Sequence, residues 1–399
     1  MRAALIALLL VGCIDEGPVL TTRDGSTPDV GGRDFGTRDM AAPAIVGRRT
    51  VAAATNHTCA IGVDGLYCWG SDAGGQLGNG PSGDASMPER VMSDATFVSV
   101  VALGDHTCAI DEDGTLYCWG TNDDGQLGLG DTRPRDEPTE VPLLAPVMDV
   151  DVGTAHTCAI LTSGALHCWG RNSEGQLGIE PTGTDETPDP TRVGTDSDWI
   201  HVSAHQGHTC GLRGDDLWCW GRNSSFQLAL GLGAPIQVRS PTRASTGPWT
   251  EIAAGQNHGC GLQEDRSLWC WGDNSHFQLA SGDLTARPEP TLSDSGPWEA
   301  TDTDTFHGCA IQSGVIACWG RNAEGQLATG DIMDREVPTV IAPPPSESWS
   351  EVSTGRFHTC ARDVLGDVYC SGANSSEQLG TGDGERRREL TLVLRVSPG

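Results

Sequence analysis

The chain has 399 residues and a formal charge of −29, from 54 acidic and 25 basic side chains, and every basic side chain is arginine. Such a surface repels a phosphate backbone or an anionic bilayer, and no basic stripe offsets it, so nucleic acid is not expected as a partner; a basic protein or cations suit it better. With 37% hydrophobic residues, 53 glycines and 23 prolines, short strands and tight turns are favoured over long helices.

The N-terminus, MRAALIALLLVGC, carries one positive charge at Arg2 and an apolar run from Ala3 to Val11. That run is too short to span a bilayer and has the shape of a signal-peptide core. Leu10-Val11-Gly12-Cys13 resembles the bacterial lipobox. The resemblance implies a signal peptide over residues 1–12 and lipid on Cys13, with Ile14 leaning toward an outer membrane. An ordinary secretory signal with an incidental cysteine is the alternative. Residues 13–42 are rich in Gly, Asp, Thr and Arg without an apolar period, and are expected to be a flexible tether.

From about residue 43 to 396 one unit recurs seven times. Its key histidine falls at His57, His106, His156, His208, His258, His307 and His358. A cysteine follows two positions later, and a second one nine or ten residues after that. Six second cysteines precede Trp-Gly, at Trp69, Trp119, Trp169, Trp220, Trp271 and Trp319, and the seventh precedes Ser371-Gly372. Nine residues before the histidine stands Phe97, Val147, Trp199, Trp249, Trp298 or Trp349, with Arg48 in the atypical first unit. A Gln-Leu pair follows in every copy, often as GQLG, and then a proline-led extended piece such as Pro88-Glu89-Arg90-Val91.

Each unit therefore reads as four short strands: TFVSVVAL (96–103) alternates, HTCAI (106–110) and TLYCWG (115–120) flank an Asp-Gly turn, and the proline-led piece is the fourth. Four strands in about 50 residues, repeated seven times, predict an all-β, seven-bladed propeller whose ends close into a ring. A linear β-solenoid is the competitor, but a ring hides its edges. Either Pro43-Ala44-Ile45-Val46 or Leu390-Thr391-Leu392-Val393 is expected to complete the blade where the ends meet.

HTCAI…LYCWGxNxxGQLGxG at this period resembles the RCC1-type repeat, a family of seven-bladed propellers, over about residues 43–396. The cysteine pairs resemble a variant found in exported bacterial members. Setting Cys13 aside leaves fourteen cysteines, two per unit. An exported location and an even count predict disulfides at Cys59–Cys68, Cys108–Cys118, Cys158–Cys168, Cys210–Cys219, Cys260–Cys270, Cys309–Cys318 and Cys360–Cys370. Opposed cysteines on antiparallel strands are also close enough to bond. Zinc prefers cysteines two to four residues apart with four ligands together, and a redox pair needs Cys-x-x-Cys; neither spacing is present.

Seven equivalent histidines are read as structural, each ring bonding to backbone at the start of its strand, and the Trp-Gly tryptophans as filling between blades. His201, His205 and His208 (HVSAHQGH) have a spacing that invites a metal, but they span a strand and its turn, so no shared face is assured. No nucleophile elbow, phosphate loop or His-Glu-x-x-His occurs. Most acids fall in variable turns, as at Asp111-Glu112-Asp113, Asp123-Asp124 and Asp136-Glu137. Asp302-x-Asp304 breaks the small-residue pattern before His307 and is read as a solvated acidic turn. No cofactor is expected; Ca²⁺ at acidic loops is the alternative.

The founder of the resembled family exchanges guanine nucleotide on a small GTPase and binds chromatin, and an exported bacterial relative clamps a β-lactamase. The expectation is a non-catalytic, lipid-anchored bacterial propeller on the cell surface, monomeric, touching membrane only through Cys13, and binding an unknown protein or glycan. Residues 179–189, 231–240 and 301–306, the most variable between copies, are expected on exposed loops. The alternatives are a hydrolase or lyase using acidic loop residues, and guanine-nucleotide exchange.

Overall fold

A hairpin with cysteines facing each other is the seed of every sheet. In the computed structural model, which describes residues 48–180 and 185–396, His106–Asp111 and Leu116–Gly120 run antiparallel with Cys108 opposite Cys118. Phe97–Leu103 pairs with the first of these strands and Arg135–Glu140 with the second. The arrangement recurs in seven four-stranded sheets, each built from four consecutive strands. The second strand, HTCAID, is buried along its whole length because neighbouring blades cover both of its faces.

The first strands of the sheets are Val51–Ala53, Phe97–Leu103, Val147–Val152, Trp199–Ala204, Trp249–Ala254, Ala300–Thr303 and Trp349–Thr354. Each lies against the next and the last lies against the first, so the sheets form a closed ring with these strands innermost. The fourth strands make the rim. Six of them carry proline, as at Pro88, Pro138 and Pro338, which cannot extend a ladder and so blunts the edge. Two faces result: an upper one with the turn before each key histidine and the Gln-Leu loop, and a lower one with the Asp-Gly hairpins.

Among the described residues the ends exchange no strand. Leu390–Val393 lies in Arg387–Leu394, the fourth strand of the last sheet, while the first sheet begins at Val51. Side chains latch the ring instead. The Glu351 carboxylate accepts the N–H groups of Thr50 and Val51 at 2.7 and 3.1 Å, and the Thr50 hydroxyl as well. Arg362 donates to the carbonyls of Thr50 and Ile61 at 3.1 and 2.6 Å. All described residues belong to the compact unit Ala42–Gly399. The segments read as signal peptide (1–12) and tether (13–42), with Cys13 and Pro43–Val46, lie outside the described residues.

Candidate functional site

The repeat residues come together at the blade junctions. Each of the fourteen paired cysteines is bonded to the one opposite it in its own hairpin, from Cys59–Cys68 through Cys360–Cys370. Apart from His208, the histidine rings turn Nε2 to hydroxyls and not to backbone. His57, His106 and His156 give Nε2–H to the hydroxyls of Thr107, Thr157 and Thr209 on the next blade, at 2.9–3.1 Å, and His307 Nε2 lies 2.8 Å from the Thr359 hydroxyl. His358 closes the series on Thr58 at 2.8 Å. The Thr58, Thr107, Thr157 and Thr209 hydroxyls donate onward to the Gln378, Gln76, Gln126 and Gln176 carbonyls, which fixes each ring as the Nε2–H tautomer. The same carbonyls accept the indole N–H of Trp69, Trp119, Trp169 and Trp220. Trp271 and Trp319 reach Gln227 and Gln278 in the same way.

Burial in this frame holds His57, His156, His258 and His358 down at a pKa of about 3, and His106 and His307 at about 4. His208 is also pushed well below the usual histidine range, by burial and then by His205. These rings are neutral at neutral pH and are part of the frame.

The central channel holds what the sequence reading missed. Seven residues before the key histidine, innermost strands present Ser99, Asp149, His201, Glu251 and Glu351. Five residues before it they present Asp151, Ser203, Asp302 and Ser353. The carboxylates cap backbone of the following blade: Asp149 accepts Val202 N–H, Asp151 accepts Ala204 N–H, Glu251 accepts Thr301 N–H and Asp302 accepts Thr354 N–H, all at 2.7–2.9 Å. They thereby satisfy strand edges that would otherwise be open. Position relative to the histidine would have revealed them; an eye for turns did not.

Charge in the channel is crowded. The Arg49 guanidinium reaches Asp151 at 3.0 Å. Burial raises Asp302 to about 6 against the pull of Arg49, and burial likewise raises Glu251 and Glu351. Asp302 and Asp304 are therefore not a solvated turn: Asp302 is in the channel and Asp304 is buried. His205 and Asp304, on blades four and six, face each other at 3.3 Å where Gly153, Gly255 and Gly355 stand in other copies.

His201, His205 and His208 do not converge. His201 bonds Asp149 through Nδ1 at 2.8 Å and the Ile252 carbonyl through Nε2 at 3.1 Å. Burial opposes its charge, yet Asp149 outweighs that and raises its pKa. His205 turns to Asp304, and His208 lies at a blade junction with neither ring nitrogen bonded. Of the variable stretches, residues 232–236 form a surface loop with Leu232 and Ile236 in solvent, but 237–240 open the rim strand Gln237–Ser245 and Thr301–Thr303 is innermost strand.

Comparison with known proteins follows from this frame. The family described as Regulator of chromosome condensation (RCC1) repeat matches residues 64–110, 113–160, 163–212, 215–262 and 313–362, more than half of the chain. The chain belongs to the RCC1 repeat family. A search of curated proteins finds no match. Among solved structures, Prp20p of Saccharomyces cerevisiae is similar at TM-score 0.73 and 21% identity, covering 89% of this chain and 88% of its own. The same yeast protein bound to Kap60 is similar at TM-score 0.74 and 21% identity, over 89% and 86%. Human WBSCR16 is similar at TM-score 0.73 and 22% identity, over 82% and 93%.

These findings correct several expectations. The similar structures are eukaryotic, from yeast and human proteins, so the bacterial, lipid-anchored, secreted or outer-membrane setting falls, and with it the signal-peptide and lipoprotein reading of Cys13. The picture of an unknown protein or glycan ligand with membrane contact through lipid alone falls with it, because the yeast RCC1 protein is described with named partners: Gsp1p, histones and Kap60. The yeast protein is described by what it binds, with no catalysed reaction named.

Proposed function

We propose that this RCC1-repeat protein acts by recognising a partner through a ring face, with no bond-making step of its own, and that the partner class is a small GTPase. The likeness to yeast Prp20p over 89% of the chain carries this reading, since that protein is described as binding Gsp1p, a GTPase. The channel supports it too, because its carboxylates hold neighbouring strands. The test is release of a fluorescent guanine nucleotide from purified Gsp1p in excess GTP. Acceleration by substoichiometric propeller is expected. Absence of both acceleration and complex at about 100 μM, an affinity too weak for a specific partner, would overturn the reading.

A second reading has one observation of its own. The charge of −29 favours a basic protein, and Prp20p is also described as binding histones. Binding to purified core histones that weakens steeply with salt is the expected result; salt-independent or absent binding removes this reading.

A further inference from the structure

The residue before the key histidine is Asn56, Asp105, Ala155, Gly207 and Asn257 in the first five copies, but Phe306 and Phe357 in the last two. Both phenylalanines lie on the upper face of adjacent blades and stack with centroids 6.0 Å apart and planes 28° from parallel. His276, from the Gln-Leu loop of blade five, meets Phe306 edge-on at 5.1 Å. Arg321 lies 5.0 Å over the Phe306 ring, and Arg356 lies 5.0 Å over the Phe357 ring. The two phenylalanine rings are half-buried and Arg356 is exposed.

The arginines are the unusual part. Arg135, Arg287, Arg335 and Arg387 each grip an aspartate four residues earlier. Among the described residues, neither Arg321 nor Arg356 has an ion pair; each has an aromatic face instead. Arg386 lies beside them, its Nη1 3.4 Å from both the Ala323 carbonyl and the Glu324 carboxylate, and Arg388 packs on Gly325. In a chain of net charge −29, Arg321 and Arg356 are two cations without a carboxylate partner among the described residues, carried on a strip of stacked rings.

A guanidinium laid flat on a ring keeps its edge N–H groups free, in the fork that matches a carboxylate. We propose that the strip docks an extended acidic peptide segment of a partner protein. Its carboxylates are held by Arg321 and Arg356, and one apolar side chain lies on the Phe306–Phe357 pair. A nucleic acid fits less well, because a continuous row of phosphates is repelled by the acidic remainder of the surface, whereas a segment with two or three carboxylates meets that field only locally. The proposal is independent of the small-GTPase reading.

The test is a random 12-residue peptide library panned on the intact protein, with R321Q/R356Q and F306A/F357A variants as counter-targets. The expected result is enrichment of Asp/Glu-rich peptides with an aromatic or aliphatic residue. The synthetic consensus peptide should lose about tenfold or more in affinity on R321Q/R356Q, weaken with added salt and resist competition by a (dT)12 oligonucleotide. The surface pair R321Q/R356Q should keep the disulfide mass and melting point, and measuring both shows that its effect is not one of folding. Basic consensus peptides, equal enrichment on the variants, or tighter binding of (dT)12 at the same residues would each overturn the proposal.

Discussion

Blades one to three and blades four to seven use the same junction, but not the same residues. Around His57, His106 and His156 the histidine, threonine, glutamine and tryptophan chain is complete. Further along, Gly259 and Gly308 replace the threonine and Ser371 replaces a tryptophan. Phe226, Phe277 and Glu377, with φ of 66°, 61° and 61°, occupy the left-handed position that Gly75, Gly125 and Gly175 fill elsewhere. Such residues are held there by surrounding packing at a cost of about 1 kcal/mol or more each. The His205–Asp304 pair and the Phe306–Phe357 strip fall in the same half. Blades one to three are a regular scaffold; blades four to six depart from the repeat, while the His358–Thr58–Gln378–Trp69 junction of blade seven with blade one is again complete. The departure leaves His208 without a partner but is compensated at His258. His258, facing Gly308, bonds Thr303 at 2.6 Å instead.

Acid should give the largest effect and strain the whole ring. The key histidines are neutral when folded, at about 3 to 4, but protonate near 6.5 when unfolded. The unfolded chain therefore binds more protons as pH falls below 6.5, and stability is lost from there down to the folded values. One pH unit below 6.5 each fully buried ring contributes a loss of about 1.4 kcal/mol. Asp302, raised to about 6, works in the opposite sense between about 4 and 6 and offsets part of the loss. The melting temperature should drop sharply between pH 7.5 and 5.5. His57→Leu and His208→Leu should both blunt that drop, but only His57→Leu should also cost stability at pH 7.5, because it leaves the Thr107 hydroxyl without its donor.

Removing one staple is the next largest change. Cys108→Ala with Cys118→Ala opens a bond across ten residues and should cost about 2–3 kcal/mol by urea denaturation. Cys360→Ala with Cys370→Ala opens an equal span in the divergent half and should cost the same. A much larger loss at the second pair would mean that blade seven, with Ser371 for tryptophan, depends on its staple more than its relatives do.

The ring, its copy number and its strands were legible because seven copies of one phrase repeat in register, and core positions must repeat when every blade packs the same way. The cysteine partners face each other for the same reason, as Cys108 and Cys118 do. The channel was not legible from turns and motifs: Asp149, Asp151, Glu251 and Glu351 look like scattered acids until each is counted back from its histidine. Asp302 looked solvated because a run of Asp and Thr has loop composition, yet its carboxylate caps Thr354 inside the ring. The Phe306–Phe357 contact joins blades through residues that break the repeat, and periodicity carries no information there.

The threonine junction can be tested directly. Thr107→Val keeps the shape but removes the hydroxyl that serves His57 and the Gln76 carbonyl. Leaving a buried donor unmet should cost about 2 kcal/mol. At the next blade but two the hydroxyl is already missing, so His208→Leu at pH 7.5 should be nearly neutral.

Restoring the missing threonine gives the smallest effect and the sharpest contrast. A side chain at Gly259 would offer His208, whose ring nitrogens have no partner, the hydroxyl that the other junctions use. That gain is about 1 kcal/mol. Against it, a Cβ at Gly259 would stand 2.6 Å from the Trp271 ring, and one at Gly308 would stand 2.7 Å from Trp319. In these two blades the indole stands where a side chain would need room, and pushing it aside costs about 1–3 kcal/mol. Gly259→Thr should therefore destabilise by about 1 kcal/mol net, measured by chemical denaturation at pH 7.5. A stabilised variant would mean that the indole yields freely, and the second half of the ring would then be an eroded copy of the first and not a repacked one.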